Sequence, residues 1–350
     1  MKNKTRQQFN DWKQGQLDAS GAVESGNGAL QFTASASVAQ TVVNKMQDSA
    51  DLLRRINVVE VDAQQADKLG LGASSPIAST GTNATGRRDP HSVFTLDENG
   101  YRCEQVNTDT FISFDQLDAW SGLDDFAGRI DSQIITRQAL DRIMIGFHGI
   151  THTARSNIEK NPLLQDVNTG WLQHYREHSP QRVISGVSVS RRNRDNVIES
   201  SGDYGTVDSL ILDAYKAVLD PWFVDSEDLV VICGRSLLSQ KYFPLVNGLG
   251  NVATPTKELL SWLMLAENQT LGGLPAYEVP FFPDNAALVT TFENLSFYWQ
   301  TGTDRRRVED ESIYNRIAVY DSRNEAYVVE DYGSGCLLEN IVWGSDGKSE

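Results

Sequence analysis

The run DDFAGRIDSQIITRQALDRIMIGFHG, residues 124–149, constrains the fold more than any other stretch of this chain. Its apolar residues fall four apart in two rows: Phe126, Ile130 and Ile134, then Ile135, Ala139, Ile143 and Phe147. Rows of that spacing form one stripe on a helix. Asp124 and Asp125 suit the positive end of the helix dipole, and Gly149 suits its stop. At 1.5 Å per residue the helix spans about 35 Å, enough to cross a domain.

The texture around this helix is mixed. Residues 1–20 read as a polar, weakly amphipathic helix, and 20–36 (SGAVESGNGALQFTASA) as a flexible linker. A helical pattern resumes over 37–55. INVVEV and YRCEQVNTDTFISF read as strands around the long polar excursion ASSPIASTGTNATGRRDPHS, which predicts a projecting hairpin loop. Residues 150–205 are irregular, with a short helix near TGWLQHYREH and the basic cluster RRNR. From 206 the texture is α/β: helices at TVDSLILDAYKAVL, SLLSQKYFPLVNG and TKELLSWLMLAEN, with DLVVICG as a buried strand. The tail reads as strands, with SRNE as a turn between two of them.

Composition narrows the function. The chain has 350 residues, 40% hydrophobic and 22% charged, as a globular protein with a real core requires. A net charge of −16 argues against a protein that coats nucleic acid. Cys103, Cys233 and Cys336 lie far apart, so reduced core thiols are expected rather than disulfides or a thiolate metal site. The N-terminus has no apolar signal core and no run approaches a membrane span, which predicts folding in a cytoplasm.

One motif invites an enzymatic reading. HYREH, residues 174–178, fits the H-x-x-E-H pattern of zinc peptidases, and His148 and His152 lie upstream. Such an enzyme needs both histidines on a buried helix and a third ligand from another one. Pro180 ends this helix early, so His178 falls in its last turn. Trp171, Leu172 and Tyr175 mark the buried face, leaving His174 and His178 beside it. Glu258 or Glu267 could supply the third ligand, though nothing singles either out. No G-x-S-x-G and no P-loop occurs. No catalytic residue, metal ligand or cofactor is therefore assigned, and a zinc hydrolase on His174, Glu177 and His178 is kept as the rival reading.

Longer strings carry more information. LLRRINVVEVDAQQADKLGLG, PIAS, GRR, YRCEQVNTDTFISFDQLDAW, RQALDRIMIGFHG, NPLLQDVNTGWLQHYRE and AYVVEDYGSGCLLENI run in order through nearly the whole chain. Together they resemble the major capsid proteins of P2-like tailed bacteriophages. The resemblance implies an α+β fold of the HK97-like type. It implies an N-arm over 1–50, of which about 1–30 would be trimmed, and an E-loop region over 51–115. A P domain over 116–205 would contain a spine helix at 124–148. An A domain would cover 206–300, and 301–350 would return to the P domain and end as a tail.

The function implied is structural: hexamers and pentamers of an icosahedral procapsid, then a capsid around double-stranded DNA. The implied partners are further copies of the chain, an internal scaffold, a prohead protease, a portal at one vertex and decoration proteins. An acidic shell should make only weak, non-specific contact with packaged DNA, and no membrane is involved. The protein should reside in the virion, and in the host cytoplasm during assembly. Ser25, Gly28, Ala29, Leu30, Gln31 and Phe32 mark the candidate cleavage region. Arg54, Arg55, Arg87, Arg88, Arg191 and Arg192 are candidate intersubunit contacts, because arginine is enriched at interfaces. Lys68 lies in the loop region without a setting that suggests a covalent crosslink. An encapsulin-like compartment with the same fold is a weaker alternative.

Overall fold

A computed structural model describes residues 6–7, 10–11, 14, 23–24, 30–33, 36–70, 95–120, 126–193, 197–250 and 269–344. Among the described residues, the helices with both ends defined are α1 (Ala36–Ser49), α2 (Asp51–Arg55), α3 (Phe114–Trp120), α4 (Phe126–His148), α5 (Trp171–His178), α6 (Val207–Val218), α7 (Pro221–Val224) and α8 (Arg235–Gly250). The first seven strands are β1 (Val23–Glu24), β2 (Leu30–Thr33), β3 (Asn57–Val61), β4 (Gln65–Gly70), β5 (Thr95–Arg102), β6 (Glu104–Asn107) and β7 (Thr110–Ser113). Then come β8 (Val183–Ser185), β9 (Ser188–Val189), β10 (Arg191–Arg192), β11 (Ile198–Ser200), β12 (Val230–Cys233), β13 (Thr270–Leu271), β14 (Leu274–Glu278) and β15 (Ala287–Thr290). The last are β16 (Leu295–Gln300), β17 (Arg305–Glu311), β18 (Arg316–Val329), β19 (Cys336–Glu339) and β20 (Val342–Trp343).

The chain divides into two compact units that alternate along the sequence. One comprises Met1–Gln65, Arg102–Gly170 and Ser296–Tyr327. Its sheet runs β1-β2-β17-β18-β16-β3, with β6 and β7 also paired to β18. Arg316–Val319 pairs with both β17 and β7, so those two strands flank β18. The helix α4 extends for about 34 Å. Its C-terminal half is buried on every side, with Ala139, Ile143, Met144, Ile145 and Phe147 all inside. Val43 and Met46 of α1, with Leu52 and Leu53 of α2, complete the helical layer. The helical pattern over 37–55 is thus two helices, broken at Ala50, which has extended backbone.

The helix stops before Gly149 as the sequence predicts, and the space around that position admits only glycine. A Cβ there would lie 2.2 Å from the Asn168 carbonyl oxygen, and one at Gly170 would lie 2.4 Å from that of Ile145. The irregular segment that follows is held by backbone: the amides of Ile150 and Thr153 donate to the carbonyls of Gln165 and Asp166. The buried Asp166 carboxylate accepts from the Asn157 amide at 2.7 Å.

Two sequence expectations fail in this unit. SRNE is not a turn but the middle of the 14-residue β18, paired with β6 across Ser322–Glu325. Two of its polar residues, Arg323 and Glu325, point to buried partners instead of solvent. Glu325 receives Arg142 of α4, with Nε to Oε1 at 2.9 Å. Arg323 pairs with the buried Asp304 and lies 5.3 Å over the Trp299 ring. The supposed linker 20–36 also carries strands: β1 and β2 form a short antiparallel pair, and β2 adds to the edge of β17 from Leu30↔Val308 to Thr33↔Arg305. The run LQFT, rich in β-formers, outweighs its glycine-rich surroundings.

The second unit comprises Ala66–Tyr101, Trp171–Leu295 and Val328–Glu350. Its sheet runs β13-β14-β12-β15-β19-β8, with β12 fully buried at its centre. The helix α6 begins at Thr206, whose hydroxyl accepts from the Ser209 amide in a capping box, and lays Leu210, Ile211 and Ala214 on the core. A separate ribbon pairs β4 with β5, the two strands that bracket residues 71–94. The helix expected over 256–268 lies outside the described residues.

Candidate functional site

The six candidate arginines behave differently. Arg54 and Arg55 sit on α2 with exposed side chains, both drawn to Asp51, at 3.6 and 2.8 Å. Such pairs in water contribute at most about 1 kcal/mol, so these guanidinia can exchange partners at little cost. Arg191, on the β10–β11 ribbon, is exposed and 4.0 Å from Glu199, while Arg192 beside it is half-buried. Arg87 and Arg88 lie outside the described residues, as do Ser25, Gly28 and Ala29. Leu30, Gln31 and Phe32 form β2. Lys68 is buried, donates from Nζ to the Val329 carbonyl, and lies 5.2 Å over the Tyr332 ring.

A surface missed in the sequence lies at the β17–β18 turn. Ile313 is 90% exposed, Tyr314 67% and nearby Phe111 57%. The turn is rigid. Asn315 adopts left-handed backbone, its carbonyl accepts from the Phe114 amide at 2.9 Å, and the Arg316 guanidinium lies 4.8 Å from Phe111 and 5.0 Å from Tyr314. Glu311 accepts from Arg316 and, at 2.6 Å, from the Tyr320 hydroxyl, which lowers the Glu311 pKa. Two large apolar residues inside the otherwise polar DESIYNR were the available signal: nothing in a turn needs them.

The histidines separate into two groups. His152 donates from Nδ1 to the Val167 carbonyl at 2.7 Å and faces Glu104. His174, Glu177 and His178 converge on α5, their ligand atoms all within 4.8 Å of one another. Trp171, Leu172 and Tyr175 are fully buried on the other face, as expected. The three cysteines are buried, and burial pushes each thiol up to about 12. No helix among the described residues is long and apolar enough to cross a membrane.

A buried helix against a large sheet, a second α/β unit, a two-stranded ribbon and an exposed apolar turn are the parts of a shell subunit of the HK97-like α+β class. The likeness to solved shells bears this out. The chain matches a structure of the satellite phage P4 procapsid including size determination (Sid) protein, with 39% identity and a TM-score of 0.76 over 98% of this chain and 99% of that one. The fold alone is shared with the capsid of an empty GTA particle, at 15% identity and a TM-score of 0.50 over 84% and 90%.

The chain belongs to the P2 family of phage major capsid proteins, whose family model matches residues 8–341. It is 41% identical to the capsid protein of Escherichia phage P2, over 98% of this chain and 96% of the relative. It is 37% identical to the major capsid protein of Serratia phage KSP20, over 98% of each. The protein is therefore a structural component of a virion, built from many copies of itself. The rival hydrolase reading finds no support, since the family is structural and not enzymatic.

Proposed function

We propose that the chain forms the hexamers and pentamers of an icosahedral head around double-stranded DNA. Assembly proceeds in the host cytoplasm as a procapsid on an internal scaffold, with a portal at one vertex. The observation that carries this reading is the match to a procapsid structure along nearly the whole of both chains. Residues 1–50 act as the N-arm and the β4–β5 ribbon as the E-loop, with α4 as the spine of the P domain. The α/β segment over 206–300 serves as the A domain. Arg54, Arg55 and Arg191 exchange their local acids for those of neighbours, Arg87, Arg88 and Arg192 serve as further intersubunit contacts, and decoration proteins join the finished shell.

Shell closure needs repeated contacts of nearly equivalent geometry. A rigid apolar turn such as Ile313–Tyr314 supplies one, because little entropy is lost when it docks. Negative-stain micrographs of the protein, made with and without its scaffold, test the reading. Closed shells or rings of five and six are expected. A small monodisperse particle under both conditions would sink it.

Trimming by a prohead protease follows from the N-arm assignment, with the cut within or near Ser25–Phe32. Because β2 edges β17, the cut strips or loosens an edge strand. N-terminal sequencing of mature heads should begin beyond residue 24, and an intact Met1 would overturn the trimming.

A further inference from the structure

The proposed assembly surfaces leave one cluster unused: His174, Glu177 and His178. The helix α5 spaces them i, i+3 and i+4, which sets them on one ridge. His178 and Glu177 are exposed and His174 is half-buried, so all three are accessible from water within the chain. The two imidazoles lie nearly parallel, 17° apart with centroids 5.6 Å from each other. Donors about 2.1 Å from a tetrahedral ion sit about 3.4 Å from one another. The ligand atoms here already lie within 4.8 Å of one another, so the widest gap has to close by only about 1.4 Å.

The surroundings favour a cation. His178 is the last residue of α5, where the negative end of the helix dipole points. Gln173 donates to Glu177 Oε1 at 2.8 Å, which orients the carboxylate. Arg176 is the lone Lys or Arg of the helix, and it is turned to Glu339, with Nε and Nη2 at 2.9 and 2.8 Å from Oε2. The chain as a whole carries a charge of −16. Two imidazoles and one carboxylate suit zinc, cobalt, nickel or copper, whereas magnesium and calcium demand more oxygens.

We propose that α5 binds one borderline divalent transition-metal ion through His174, Glu177 and His178. The remaining coordination positions face solvent, and the ion clamps the last turn of the helix. No catalytic step is assigned to it. The inference stands on a single chain and does not rest on the shell reading.

Calorimetric titration of the metal-stripped full-length protein with zinc chloride tests it. One zinc per chain at micromolar affinity is expected, with no heat from magnesium chloride. His178→Ala should weaken binding at least tenfold, Glu177→Gln severalfold, and His174→Ala/His178→Ala should abolish it. A stoichiometry far below one, or zinc binding that survives the double variant, would overturn the site. Cobalt loading of the unmodified chain gives a check independent of any variant: absence of visible d–d bands would count against imidazole ligation. Shells formed by the double variant would show that a lost metal site and a failed assembly are separate results.

Discussion

At the scale of single residues, the buried charges matter most. Arg142 and Glu325 are 5% and 0% exposed, and Asn168 adds a hydrogen bond to the Glu325 carbonyl at 2.9 Å. Burial pulls the Arg142 pKa down, but the adjacent Glu325 carboxylate more than offsets this, so it stays above its ordinary value. Removing one partner strands the other charge in a dry interior. Arg142→Met should therefore cost about 3–5 kcal/mol, read from urea unfolding of the dissociated subunit. Converting Glu325 to Leu as well should recover much of that loss, because no lone charge remains. A single variant as stable as the parent would mean that water reaches the pair. The thiols give a second test. Burial pushes each thiol up to about 12, so little thiolate forms at pH 8. Cys103, Cys233 and Cys336 should resist a disulfide reagent in the folded chain and react together on denaturation. A fast-reacting thiol in native protein would contradict their burial.

At the scale of elements, the β17–β18 turn makes a sharp prediction. Full burial of Ile313 against a neighbour would contribute about 1.5–3 kcal/mol per contact, multiplied across a shell. Ile313→Asp should leave the thermal unfolding of the free subunit within about 1 °C, since the side chain touches little of its own chain, yet abolish closed shells in micrographs. Normal shells would place that turn outside every interface. Which elements were legible follows the same physics. The helix α4 could be read because its apolar rows repeat at the period of the helix, and α6 and β12 because each has one dominant pattern. Strand β18 could not, because Ser322, Arg323, Asn324 and Glu325 look like turn residues unless the buried partners of Arg323 and Glu325, Asp304 and Arg142, are known. Those partners are 19 and 183 residues away. The edge strand β2 was hidden in the same way, since its pairing with Arg305–Val308 is a long-range fact. The convergence of His174, Glu177 and His178 was visible in their spacing, whereas the exposure of Ile313 required the fold.

At the scale of the whole molecule, assembly sets two electrostatic effects against each other. Each subunit carries −16, so neighbours repel, while arginine contacts attract. Neighbouring shell subunits are taken to sit with centres on the order of 40 Å apart, a domain-scale spacing. Two charges of −16 at that distance in water repel by roughly 27 kcal/mol before screening. A Debye length of 30 Å at 0.01 M salt reduces this to about 7 kcal/mol, and one of 8 Å at 0.15 M to about 0.2 kcal/mol. Exposed arginine pairs supply only about 0–1 kcal/mol each and weaken over the same range. The repulsion is the larger quantity that salt removes, so moderate salt should promote closure. Light scattering with sucrose-gradient analysis should show the threshold concentration for shells falling as salt rises from 0.01 to 0.15 M. A rising threshold would mean that charge pairs, not apolar contacts, hold the shell. In that case Arg54→Ala and Arg191→Ala should each reduce the slope of the salt dependence, and Ile313→Asp should leave the slope unchanged.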